Sequence, residues 1–241
     1  MKTWKTGRGI EIIRLLSGRS NVFFVNAGNI RILYDSCSRH YQNSLINNLM
    51  KLNPSGINAL VISHAHFDHA GNAAWIRENT GAKTIIHSLE AKYLEKGENA
   101  PIKGSVFLTR WLINMTGRDI TARLNYPPCK ADVQVAASRS IPFPGQDVFL
   151  LHTPGHTSGM LSMVIDHEIA LVGDTLFGIF PGSVFPPFAE DTRQLIKSWE
   201  ILLESGCTCF FPSHGRPISR KMLEKSYLKR IGTSSAGPRS S

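Results

Sequence analysis

The stretch His64-Ala65-His66-Phe67-Asp68-His69 constrains what this chain can become more than any other. It follows the apolar run Ala59-Leu60-Val61-Ile62, which is long enough for a buried strand. Three imidazoles and a carboxylate so close together do not belong in a hydrophobic core. When charged, the rings repel one another, so they need a shared partner. Neutral imidazole and carboxylate are good ligands for zinc and its neighbours. In extended chain His64, His66 and Asp68 point to one side and His69 to the other.

The same grammar recurs along the chain. Val148-Phe149-Leu150-Leu151 runs into His152-Thr153-Pro154-Gly155-His156, Ile169-Ala170-Leu171-Val172 into Gly173-Asp174, and Phe210-Phe211 into Pro212-Ser213-His214-Gly215. Each apolar run stops at a metal-capable residue beside glycine, so four strands can deliver ligands from their terminal loops to one rigidly supported site. His87, after Lys83-Thr84-Ile85-Ile86, reads most simply as a polar residue at a strand end and is left out of the site.

His-x-His-x-Asp-His, continued by His156, Asp174 and His214, resembles the signature of the metallo-β-lactamase-fold hydrolase superfamily, over about residues 10 to 230. The resemblance implies an α/β chain folded as a four-layer αββα sandwich, with a single domain over 1–230 and metals at one edge. It implies that His64, His66 and His156 hold one divalent ion, that Asp68, His69 and His214 hold a second, and that Asp174 bridges both. Zinc is the expected metal, with iron or manganese as alternatives. Three histidines with a position left for water is the arrangement of a catalytic zinc site. Two ions sharing a hydroxide lower its proton affinity to near neutral pH. Hydrolysis of an ester, thioester or lactone is the expected chemistry, with Asp68 as the catalytic carboxylate that orients or deprotonates the water.

Gly173-Asp174-Thr175-Leu176-Phe177 is similar to the corresponding stretch of hydroxyacylglutathione hydrolases, but Gly178 to Phe188 carries no positive charge, and a counterpart of that branch's C-terminal domain is not expected. A mononuclear iron persulfide dioxygenase and a phosphodiesterase or nuclease of the same fold are the alternative activities. Asp35-Ser36 resembles the aspartate that supports the metal loop in the superfamily, although a turn-forming role fits these residues as well.

Charge narrows the partners. The net charge is +9, but residues 1–39 carry seven Lys/Arg against two acids and residues 216–241 seven against one, which leaves the middle at −2. The basic excess reads as solvated ends, so a small-molecule substrate is expected rather than a nucleic acid. No stretch approaches the roughly 18 apolar residues of a membrane span, and no signal-peptide pattern opens the chain, so a soluble, cytoplasmic protein is expected. Cys37, Cys129, Cys207 and Cys209 are too few and irregular for a disulfide framework, and Cys207 and Cys209 read as packing residues.

Strands are expected over residues 10–15, 21–25 and 30–34, and helices over 42–52, 71–80, 88–96, 105–116, 190–204 and 217–230, with a disordered tail over 231–241. Residues 97–130 are the place for a substrate-shaping lid. Phe177, Ile179, Phe180, Val184, Phe185 and Phe188 either pack over the core or line the mouth of the site.

Overall fold

The computed structural model describes residues 1–17, 20–52, 56–106, 109, 124–136, 141–142 and 147–234. Most of the helix expected over 105–116, with Trp111 and Met115, lies outside the described residues, as does the tail from 235 onward. Two sheets form the centre. Strands β1 (Lys2–Lys5), β2 (Glu11–Leu16), β3 (Val22–Ala27), β4 (Ile30–Tyr34), β5 (Ala59–Val61), β6 (Lys83–His87) and β7 (Val133–Val135) follow one another in space as in sequence. Pairing is antiparallel as far as β4 and parallel beyond it.

The second sheet holds β8 (Ile141–Pro142), β9 (Val148–His152), β10 (Leu161–Ile165), β11 (Ile169–Gly173), β12 (Cys209–Pro212) and β13 (Ile218–Ser219), in the order β13-β12-β11-β10-β9-β8. Of its pairings, β11 with β12 is the parallel one. A parallel pair needs a crossover, supplied here by the chain that contains α5 (Thr192–Glu204). The other helices are α1 (Gln42–Lys51), α2 (Phe67–Ala70), α3 (Ala73–Thr80), α4 (Ser88–Lys96) and α6 (Arg220–Ser234).

The period-two alternation of the strands sorts residues into three apolar layers. Phe23, Val25, Ile32, Tyr34 and Val61 meet Leu150, Met163, Leu171 and Phe211 between the sheets. On the opposite faces of the same strands, Phe24, Leu33 and Leu60 pack with Leu45, Ile76 and Leu94 of the helices. Ala170, Val172 and Phe210 pack with Leu195, Trp199, Leu202 and Leu223. The result is the αββα sandwich. Each such fully buried aliphatic or aromatic side chain contributes about 1.5–3 kcal/mol. Among the described residues no helix is long and apolar enough to cross a membrane.

Strands β1, β7, β8 and β10 lie outside the expected ones, and the last helix differs in its bounds. β10 was not expected, yet Leu161–Ile165 is buried throughout and sits between β9 and β11. Residues 218–219, expected in the last helix, pair with Cys209 and Phe210 instead. That helix runs from Arg220 to Ser234, so residues 231–234 of the expected tail are helical. Cys207 and Cys209 lie on opposite sides of the sheet, Cys207 in the layer with Trp199 and Cys209 against the layer between the sheets.

Candidate metal centre

After β5 the chain turns instead of staying extended. Helix α2 begins at Phe67, and its first turn brings the His69 ring round from the side expected of it. His69 Nε2 lies 3.5 Å from Asp174 Oδ1 and 3.7 Å from Asp68 Oδ1. His64 Nε2 and His66 Nδ1 are 2.8 Å apart, and His156 Nε2, from the loop between β9 and β10, is 3.3 Å from the latter. Asp174, just past β11, sets Oδ2 at 3.5 Å from His156 Nε2 and 3.4 Å from His214 Nε2. His214, past β12, lies 3.3 Å from Asp68 Oδ2. The residues expected as ligands thus meet in three overlapping groups, His64/His66/His156, His64/His69/Asp174 and Asp68/His69/His214, each with its donor atoms within 4.8 Å. Tetrahedral zinc with bonds of about 2.0–2.1 Å sets its ligand atoms roughly 3.3 Å apart. The donor separations above, 2.8 to 3.7 Å, scatter around that spacing.

The far side of three of the rings explains which nitrogen faces inward. His66 Nε2 donates to the Ala100 carbonyl at 3.1 Å, His156 Nδ1 to the Phe188 carbonyl at 2.9 Å, and His69 Nδ1 to Asp35 Oδ2 at 2.8 Å. A carbonyl or carboxylate at the outer nitrogen requires the proton there, which leaves the inner nitrogen's lone pair for a cation. His69 Nε2 and Asp174 Oδ1 are buried without a hydrogen-bond partner. Such an orphan costs roughly 1–3 kcal/mol, and a divalent ion between them would satisfy both.

Burial pushes His64, His66 and His156 toward the neutral form, His66 to about 3, with neighbouring rings adding to the effect at His64 and His66. Neutral imidazole is the ligating form. At His214 burial acts the same way, but Asp174 and Asp68 outweigh it and push the ring up to about 10. Burial also works against a charge on Asp68, yet His69 and His214 hold it down at about 2. Without an ion, His64, His66 and His156 are thus held neutral, whereas His214 shares charge with Asp68 and Asp174.

Residues 17–214 match the Metallo-beta-lactamase superfamily. The chain belongs to that superfamily. It is similar to a probable metallo-hydrolase of Methanocaldococcus jannaschii, at 27% identity over 202 residues, covering 82% of this chain and 89% of that one. A probable metallo-hydrolase of Bacillus subtilis is 25% identical over 246 residues, covering 90% of both chains. A hydroxyacylglutathione hydrolase of Shewanella loihica is more remote, at 24% identity over 66% of this chain and 48% of that one. Among solved structures, a metallo-beta-lactamase of Cronobacter sakazakii superposes with a TM-score of 0.68 at 17% identity, over 98% of this chain and 96% of that one. The protein is a metal-dependent hydrolase of the superfamily, and its His/Asp cluster is its candidate metal site.

Of the groups that support the cluster of this metallo-hydrolase, Asp35 was legible in the sequence through the superfamily resemblance, whereas others were not. Asp35 is fully buried and accepts hydrogen bonds from Ser63 N, Ser63 Oγ and Ser213 Oγ as well as from His69. It does both things its position allowed: it turns the chain, at φ 63°, and it braces the ligands. Ala100 and Phe188 act through backbone carbonyls, which leave no trace in a residue pattern. His87 lies apart from the cluster, stacked on His152 with ring centroids 4.1 Å apart.

In the 177–188 loop three of the apolar side chains turn inward, and none of them walls the cleft beside Asp68. Phe177, Val184 and Phe185 are buried, with Phe177 4.8 Å from the His214 ring, whereas Ile179 and Phe180 are exposed. A cleft of about 460 Å³ opens instead beside Asp68, walled by Arg39, His40, Tyr41, Phe67 and Tyr126.

Proposed function

We propose that this protein is a dinuclear zinc hydrolase of small esters, thioesters or lactones. The observation that carries the reading is the convergence of His69 Nε2 and Asp174 Oδ1, both buried and unpartnered, onto a cluster whose remaining nitrogens are already aimed inward. His64, His66 and His156 would hold one ion, Asp68, His69 and His214 the other, and Asp174, whose two oxygens face different histidines, would serve both. Bound there, a pair of divalent ions supplies Lewis acidity for the substrate carbonyl and brings the pKa of water near neutral.

The chain's own groups do the rest. Asp68 is the most exposed of the donor carboxylates and forms part of the cleft wall. It is thus placed to hold a proton at Oδ1, the oxygen farther from a ring nitrogen, as water attacks. Phe177, against His214, keeps bulk water from that side of the site. Tyr41, Phe67 and Tyr126 give the cleft apolar surface for an acyl or aryl group, which is how most pockets combine apolar walls with a few polar anchors.

The test is metal analysis of the purified protein beside a rate comparison across aryl esters, thioesters, lactones, a glutathione thioester and RNA. Two zinc equivalents with faster cleavage of the hydrophobic esters or lactones are expected, and Tyr41→Ala should raise KM for them several-fold. One iron per chain with oxygen uptake, or preferred cleavage of RNA, would overturn the reading.

A further inference from the structure

Glu90 sits in the first turn of α4 and is almost fully buried, at 1% exposure. It belongs to none of the donor groups and has no cationic side chain bound to it among the described residues. Its carboxylate instead spans the gap between the two sheets. Oε2 accepts from Ala65 N at 2.8 Å, and Oε1 accepts from Gly159 N at 3.2 Å. Ala65 stands between His64 and His66 on the loop leaving the first sheet, and Gly159 follows His156 by three residues on a loop of the second. Gly159 leaves the room this needs: a Cβ there would collide with Glu90 Cγ.

The residue type fits that position. Two backbone N–H groups arriving from different loops need two acceptor oxygens and no donor, which a carboxylate offers and an amide does not. Burial pushes the Glu90 carboxyl up, and against it the two N–H groups and the N-terminal end of α4 favour the charged form. Asp35 does the corresponding work on the other side of the cluster, where it ties Ser63 and His69 to Ser213, the neighbour of His214.

We infer that Glu90 is a positioning residue that sets the spacing of His156 against His64 and His66, and so tunes that trio for its ion separately from the Asp68/His69/His214 group. The inference rests on the dinuclear reading given above.

The experiment is titration of the metal-depleted full chain with zinc alone against a chromophoric chelator, with cobalt absorption spectra in parallel. The wild type should take up two equivalents. Glu90→Gln keeps the volume but turns an amide N–H₂ toward one of the two backbone donors. It should weaken one equivalent by about 10–100-fold and leave the other unchanged. The cobalt bands of the weakened equivalent should change, and excess zinc should restore hydrolysis. Gly159→Ala, which displaces the same carboxylate, should reproduce the selective loss and serves if Glu90→Gln fails to fold. If both equivalents bind as in the wild type, or both weaken alike, Glu90 is a general structural brace and the inference fails while the metal reading stands. A wild type that takes up no zinc overturns both.

Discussion

His69 Nδ1 donates to Asp35 Oδ2 at 2.8 Å, a contact between residues 34 positions apart in the chain. It fixes the imidazole's proton on the outer nitrogen and aims Nε2 at Asp174. Asp35 holds this place at φ 63°, a left-handed conformation that Asp and Asn tolerate and Ala does not.

Asp35→Asn is therefore the clean substitution, since it preserves backbone and volume but replaces one acceptor oxygen by a donor. Zinc affinity or kcat/KM should fall about 10–100-fold with an unchanged circular dichroism spectrum. Asp35→Ala should lose thermal stability in addition, because it forces Ala into the same backbone conformation. Wild-type zinc titration and rates for Asp35→Asn would remove the proposed role.

Asp68→Ala deletes a donor of the second group and the carboxylate that faces the cleft. Turnover should drop by about 10²–10⁴, the usual worth of a positioned proton-handling group, while KM moves only a few-fold. Steady-state kinetics paired with metal content decides it: near-normal kcat at full occupancy contradicts the assignment.

Phe185 and Phe180 should separate cleanly in thermal melts. Phe185 packs edge-on to Trp199 at 5.8 Å, with the Arg230 guanidinium 4.0 Å from its ring centre. Its replacement by Ala should cost roughly 3 kcal/mol or more, a fall of about 10 °C in Tm for a chain of this size. Phe180 is 47% exposed, so Phe180→Ala should stay within about 0.5 kcal/mol of the wild type. Equal melting temperatures for the two variants would contradict the burial pattern.

Asp132 gives a pH-dependent contribution remote from the donor cluster. Arg77 binds it through Nε and Nη2, both at 2.9 Å, Thr84 N donates at 3.0 Å, and these contacts hold its carboxyl down at about 2. A carboxyl depressed on folding contributes stability that is fully present above its unfolded value near 3.9 and is lost as pH falls through the folded value. Asp132→Asn should thus melt below the wild type at pH 7, and the difference should shrink between pH 4 and pH 2. Parallel melts across that range test the sign; a gap that widens in acid refutes it.

The candidate donor residues could be read from the sequence by itself. His64, His66, Asp68 and His69 are close enough along the chain to be read directly, and His156, Asp174 and His214 each follow an apolar run ending at or beside glycine. Most strands and helices were legible from local alternation and periodicity, and the αββα sandwich through the superfamily resemblance that the donor residues carry. β10 was not: Leu161–Ile165 is buried on every residue and shows no alternation, and Ser162 breaks the kind of continuous apolar run that revealed β11. The tertiary structure alone decided which imidazole nitrogen faces the cluster. That choice depends on the Ala100 carbonyl, the Phe188 carbonyl and Asp35, each more than 30 residues from the ring it holds. It also decided that Glu90 joins the two ligand loops and that the cleft opens beside Asp68. Residue patterns record what a segment does with its immediate neighbours along the chain. Proton placement and cavity shape come from contacts between distant segments, which exist only once the two sheets have packed.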